Sequence, residues 1–247
     1  SAHEHLDAAL AGNAQDPLAR SALGELQIGS ANFAEGWDNY EYRYGGEGGG
    51  RRFPYPAWEG RTPAEGALLV HSEQGIGDMI LFSSCFSELA GFPNVVIEAP
   101  ERLFGLFQRS FPAAQVMPFA GSGRPKWLDE IGPVAATIPA GSLMRIFRRS
   151  AEAFPRHGGY LQADPARVDR WRLRLSELGS GPKIGVSWRG GFFRTGRKAR
   201  SAPLEAWLPV LDLSRAHFVS LQYTAGAADE AGQLQRRHGV RVIHWQD

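Results

Sequence analysis

The sequence predicts an α/β protein in which two series of parallel strands alternate with helices, after a short helical segment. Three observations carry this. The continuous apolar run Ala67-Leu68-Leu69-Val70, and shorter runs after it, look like strands buried on both faces of a parallel sheet. Segments of helical period fall between those runs, and strand–helix alternation marks a doubly wound domain. The chain resets once, at Gly179-Ser180-Gly181-Pro182, and the series begins again at Lys183-Ile184-Gly185-Val186-Ser187-Trp188.

Residues 1–45 read as a tetratricopeptide-like helical segment. Leu6 and Leu10 share one face; after Pro17, Leu18, Ala22, Leu23 and Leu26 repeat at helical spacing until Gly29 ends the helix. Asn32 and Glu35 have the form of a capping box opening the next helix, where Phe33, Trp37, Tyr40 and Tyr44 make a stripe read as core packing. Two such helices cannot bury their own face and must lean on a neighbouring domain or on further repeats. Residues 46–66 form a Gly-rich break and an extended arm, whose prolines exclude helix and whose aromatics pin it to a neighbouring surface.

The first doubly wound lobe spans residues 67–160. Its strands are Ala67 to Val70, Val95-Val96-Ile97, Gln115-Val116-Met117 and a short one beginning at Val134; helices carry Met79, Ile80, Phe82, Phe86 and Leu89, then Leu103 to Phe107, then Leu143 to Arg149. Residues 161–182 supply a connecting helix with Val168, Trp171, Leu175 and Leu178. Residues 183–247 begin a second lobe, with helices near Leu204 and Asp229 and strands at His217 and Val240. A doubly wound lobe needs more strands than these to close its sheet, so the second lobe is expected to be cut short at Asp247.

Composition narrows the function classes. With 43% hydrophobic and 21% charged residues the chain is an ordinary soluble globular protein. A formal net charge of +1 gives no global field for nucleic acid or an anionic membrane. The single cysteine, Cys85, rules out an internal disulfide framework; it is expected to be buried and inert, and no Cys/His spacing resembles a zinc site. No apolar run approaches the ~20 residues that span a bilayer, and the N-terminus lacks a basic-then-apolar leader pattern, so a cytoplasmic protein is expected.

The most informative stretch is His71-Ser72-Glu73-Gln74-Gly75-Ile76-Gly77-Asp78. Ligands of an α/β sheet bind beyond the carboxyl ends of its strands, at turns leading into helices. Gly75 and Gly77 let the backbone come close to a ligand and expose amide N–H groups at a helix N-terminus. Asp78 reads either as a favourable acid in the first helical turn or as a carboxylate at the mouth of a cleft, able to take a proton from a hydroxyl. A dinucleotide site competes, because Gly75-Ile76-Gly77 opens like the phosphate fingerprint and Glu98 ends the second strand where a ribose-binding acid would lie. Ile80 occupies the third glycine position, however, and blocks the close helix–strand packing that fingerprint requires.

Gly36-Trp37-Asp38-Asn39-Tyr40-Glu41-Tyr42-Arg43, the arm ending Pro56-Ala57-Trp58-Glu59-Gly60, and the stretch from Leu68 to Asp78 occur in this order. With Gly185-Val186-Ser187-Trp188-Arg189-Gly190, Arg200-Ser201-Ala202-Pro203-Leu204 and Val219-Ser220-Leu221-Gln222, they resemble bacterial tetratricopeptide-repeat proteins carrying a GT-B glycosyltransferase domain related to the heptosyltransferases (glycosyltransferase family 9). The resemblance implies two Rossmann-like lobes, acceptor lobe first and donor lobe second, working without metal and mostly inverting the anomeric centre. It implies Asp78 as base, Glu73, Gln74, Gly75 and Gly77 as the acceptor loop, no cofactor beyond a nucleotide-sugar substrate, and protein or cell-surface glycan acceptors. The chain departs from the family at Arg189-Gly190-Gly191-Phe192-Phe193, where a small polar residue and Asn are usual, and shows no acidic-threonine-histidine motif before Asp247.

Arg189, Arg194, Arg197, Lys198 and Arg200 crowd one loop beside Phe192 and Phe193. A solvated loop, a diphosphate clamp and a nucleic-acid surface all fit such a cluster, though the near-neutral net charge argues against the last. Under the resemblance, Arg189, Lys198, Arg200 and Ser201 are the donor-phosphate candidates. His71 reads as structural and Trp188 as core. The expected function is therefore sugar transfer from a nucleotide sugar; the alternative is a noncatalytic binding or scaffold module, with helices that recruit a protein partner and a degenerate donor site.

Overall fold

The computed structural model describes residues 2–45, 50–119, 121, 123–156, 158–190, 201–212 and 215–245. The chain forms two compact units, Ser1–Asp164 and Pro165–Asp247. The fold is α/β with parallel sheets, compatible with a Rossmann-like architecture. Among the described residues no helix is long and apolar enough to cross a membrane, and no three His, Cys, Asp or Glu side chains gather as a metal site.

The first unit opens with α1 (Ala2–Gly12), α2 (Pro17–Gly29) and α3 (Phe33–Tyr40), followed by a 3-10 turn at Glu41–Tyr44. Asp16 caps α2 by accepting the Ala19 N–H at 2.7 Å, and Pro17 sits in the first turn, where its missing N–H costs nothing. The capping box expected at Asn32 does not form; its amide donates to Glu35 Oε2 at 2.8 Å instead of the side chain capping the helix. Helices α2 and α3 meet through glycines. A Cβ on Gly24 would lie 2.7 Å from Tyr40 N and 2.8 Å from Gly36 O, so the backbones pass at a distance only glycine permits.

The sheet of the first unit comprises β1 (Ala67–His71), β2 (Val95–Ala99), β3 (Gln115–Pro118) and β4 (Val134–Pro139), with α4 (Ile76–Phe82), α5 (Glu101–Ser110) and α6 (Leu143–Phe147) between or after them. All pairings are parallel and the order is β3-β2-β1-β4. Alternation sends Leu68 and Val70 into one core with Phe82, Phe107 and Leu143, and Ala67 and Leu69 into another with Trp127, Leu128 and Ile131. That two-sided burial is why β1 is apolar throughout. The expected helix after β1 is α only as far as Phe82 and tightens to 3-10 over Ser83–Leu89, where the Ser83 hydroxyl bonds back to the Ile80 carbonyl. The arm runs along the outer edge of β4: Ala57 bridges Thr137, Trp58 N donates to Thr137 O, and the buried Trp58 ring packs against Phe92 and Phe147.

The second unit contains α7 (Pro165–Ser176), β5 (Lys183–Val186), α8 (Leu208–Leu211), β6 (His217–Ser220), α9 (Ala227–His238) and β7 (Val242–Ile243). Its parallel sheet has the order β5-β6-β7. Ala227, Ala231 and Leu234 of α9 pack with Val186, Phe218 and Val242 from the three strands, closed by Leu204 and Leu211. Helix α7 buries none of its residues fully.

Candidate functional site

The chain winds from β1 outward through β2 to β3, then returns to place β4 on the other side of β1. The crevice beyond the carboxyl ends of β1 and β4 is thus the topological switch point of the first sheet, where open α/β sheets take ligands. The 73–78 loop leaves β1 there, and Ala140-Gly141-Ser142 leaves β4 beside it.

Glu73 is the best-held group of the loop. Arg43, from the 3-10 turn, grips its carboxylate with both faces of the fork: Nε donates to Oε2 at 3.0 Å and Nη2 to Oε1 at 2.9 Å. Gly141 N also donates to Oε1 at 2.5 Å, and the Tyr44 hydroxyl donates to Oε2. The guanidinium lies between the Tyr40 and Tyr44 rings, 4.7 and 4.2 Å from their centroids. Burial alone would lower the Arg43 pKa, but the bonds and charge of Glu73 outweigh it and hold Arg43 well above its ordinary value. Burial, reinforced by the neighbouring carboxylate, likewise pushes the Tyr44 phenol up, although Arg43 pulls the other way. A Cβ on Gly141 would lie 2.6 Å from Glu73 Oε1, so this position accepts only glycine while Glu73 keeps its place.

The rest of the loop is more open. Gln74 is one of two non-glycine residues at positive φ among those described, at 57°, and its Nε2 donates to the Tyr40 hydroxyl at 2.8 Å. Gly75 is the N-cap of α4, and Asp78 Oδ2 accepts its N–H at 2.9 Å. Asp78 therefore does fill the capping role, yet it is only half-buried and enters no ion pair among the described residues. Gly77 is exposed and a Cβ there meets nothing within 4 Å, so no neighbour among the described residues requires glycine at this position.

Beside this crevice lies a second buried cluster. Glu98, fully buried at the end of β2, accepts the Ser72 N–H at 3.0 Å and an Arg51 guanidinium N–H at 2.5 Å. His71 is buried against Phe53, and burial lowers its pKa to about 4, keeping the imidazole neutral. Glu98 thus holds the arm down rather than facing a ribose site. Cys85 is buried next to Met144, and burial pushes its thiol up to about 12, which makes it inert.

In the second unit, Arg189 and Ser201 are brought together by an antiparallel bridge and line a cavity of about 410 Å³ with Trp188, Gly190 and Trp207. Arg189 is paired with Glu230 of α9, which also accepts from the Trp188 indole; its other arm donates to Thr224 Oγ1 at 3.1 Å. Gln222, almost fully buried, accepts the backbone N–H groups of Trp188 at 3.2 Å and Arg189 at 2.9 Å and so fixes the turn after β5. Lys198 and Arg200, with Phe192, Phe193, Arg194 and Arg197, lie outside the described residues. A larger cavity, about 500 Å³, opens at the turn from β6 to α9 between Trp171, Trp245 and His244.

Sequence reading placed Tyr44 in a core stripe and Arg43 in a motif without giving either a role at the site, and it did not single out Arg51, Glu230 or the clamping role of Gln222. The accessible signal was the run of three tyrosines around a single arginine in Tyr40-Glu41-Tyr42-Arg43-Tyr44, which a purely structural stripe does not need.

The chain is 30% identical over 241 residues to Protein FlbA of Caulobacter vibrioides, an alignment covering 91% of this chain and 40% of that relative. The chain thus spans well under half of the relative's length. No protein-family model matches the chain, and no solved structure is significantly similar to it.

Proposed function

We propose that the protein is a GT-B glycosyltransferase that moves a sugar from a nucleotide-sugar donor to a hydroxyl of a protein or cell-surface glycan, in the cytoplasm, without metal and with inversion as the family resemblance implies. The acceptor oxygen attacks the anomeric carbon, the bond from that carbon to the diphosphate breaks, and the acceptor proton passes to Asp78. The charge developing on the departing diphosphate needs fixed cationic or hydrogen-bonding groups, for which Arg189, Lys198, Arg200 and Ser201 are the candidates.

One observation carries the reading. At the switch point, Gly77 is exposed with open space where a Cβ would stand, no described neighbour requires glycine there, and the next residue is a carboxylate outside any described ion pair. Glu73 cannot take the base role while Arg43 grips it on both oxygens.

The noncatalytic reading is favoured by a different observation: Arg189, the described member of the basic cluster, is paired with Glu230. The two readings separate in a thermal-shift panel of nucleoside diphosphates and nucleotide sugars on the full-length gene product. Stabilisation by one donor, with Asp78→Asn keeping that stabilisation but losing at least 100-fold in turnover, is the expected result. If no nucleotide stabilises the protein, the transferase reading fails; if Asp78→Asn turns over normally, Asp78 is not the base.

A further inference from the structure

The helices of the first unit would ordinarily be read as a detachable partner-recruiting module. Their contacts point elsewhere. Arg43 and Tyr40 come from α3 and the turn after it, yet their polar atoms are engaged by residues some thirty positions on, at the carboxyl end of β1. Arg43 Nη2 also donates to Ser142 Oγ at 2.9 Å, and Ser142 Oγ donates to Glu41 Oε2 at 2.9 Å. One guanidinium thereby ties the helical turn to the segments leaving both β1 and β4. The Arg43 and Glu73 side chains are 5% and 6% exposed, so this tie lies in the interior and water screens it little. Gln74, next in the chain, is in a left-handed conformation that is sterically unfavourable for a non-glycine residue, and the Tyr40 hydroxyl is its side-chain partner. The backbone leaving Gln74 then aims the Gly75 N–H at Asp78 Oδ2.

We propose that Tyr40 and Arg43 are positioning residues for the 73–78 loop: Arg43 anchors its first residue, Tyr40 holds the turn at its second, and together they set where the Asp78 carboxylate stands. In this scheme the helical segment is a wall of the site, built into the same unit as the sheet. The proposal rests on the transferase reading only for the chemical role of Asp78.

The test uses the full-length protein with Tyr40→Phe, which removes one oxygen, and Arg43→Lys, which keeps the charge but loses the fork. Hydrogen exchange of the amides of residues 75–78 reads the loop whether or not the protein is an enzyme. Tyr40→Phe should speed that exchange about tenfold, the effect of one lost hydrogen bond, while exchange in β2 and α5 stays as in wild type. In turnover, it should lower kcat with little change in donor KM. Unchanged loop exchange in both variants overturns the proposal. So does faster exchange accompanied by wild-type kcat, because the loop would then not position the reacting group. If wild type turns over no donor, the transferase reading fails by itself and the exchange result alone decides whether Tyr40 and Arg43 hold the loop. Should Arg43→Lys not fold, Tyr40→Phe carries the test.

Discussion

His71 closes β1 with its ring against Phe53 and its pKa lowered from 6.5 to about 4, chiefly by burial, with Arg51 adding to the effect and Glu73 opposing it. The unfolded chain therefore binds a proton below pH 6.5 that the folded chain refuses until about pH 4, so stability falls as pH drops through that window. The full shift corresponds to about 3 kcal/mol. Urea unfolding at pH 7 and pH 4.5 should show a steeper loss in wild type than in His71→Gln; equal slopes would mean that His71 is not buried in its neutral form. Gly77 makes the opposite kind of prediction. Alanine fits its space, and in the first turn of α4 it should leave stability unchanged or raise it by up to about 1 kcal/mol. If a ligand approaches over that backbone, Gly77→Ala nevertheless loses turnover while its unfolding midpoint holds; a variant that is both stable and fully active would show that the open face is not used.

Elements were more legible in the sequence than their joints. The apolar runs at Ala67 and Val95 gave strands because a doubly covered parallel strand has no polar face to hide, and α5 announced itself through Leu103 and Phe107. The strand–helix turn holding Gly75, Gly77 and Asp78 was legible for the same reason. Long-range joints were not. Nothing local in Tyr40-Glu41-Tyr42-Arg43-Tyr44 says that its guanidinium meets Glu73, and the stripe read as core packing is only partly so: Trp37 is buried, while the Tyr40 and Tyr44 hydroxyls reach the loop. The Gly24–Gly36 crossing was equally silent, since helix-period reading sees glycine only as a weak helix former. That crossing sets the depth at which α3 lies on α2, and through α3 the place of Tyr40. Gly24→Ala puts a methyl 2.7 Å from Tyr40 N and 2.8 Å from Gly36 O, both backbone atoms that a rotamer change cannot move. Overpacking of this kind costs about 1–3 kcal/mol, more than alanine's helix propensity returns. Chemical denaturation should show the loss; an unchanged midpoint would mean that the helices separate there freely.

Taken whole, the molecule carries two units whose cores differ in kind. The first is covered on both sheet faces by separate apolar clusters, with Trp37, Trp58 and Trp127 all at 6% exposure or less. Among its described residues the second has a smaller buried apolar cluster, a β7 of two residues and an α7 that buries nothing fully. A smaller core leaves less free energy against chain entropy, so the second unit is expected to unfold at lower denaturant. Tryptophan fluorescence and far-ultraviolet circular dichroism should then give two transitions, and Trp188→Phe should remove signal chiefly from the lower one, since Trp188 is buried in the second core. Ligand linkage turns this into a test of where the donor sits. Anything that binds a folded unit and not its unfolded chain stabilises that unit, by about 2.7 kcal/mol at a hundred times Kd. If Arg189 and Ser201 belong to a donor site, a saturating nucleoside diphosphate raises the lower transition and leaves the upper one in place. A shift of the upper transition alone would move donor binding to the first unit, and with it the assignment of Gly77 and Asp78 to the acceptor side.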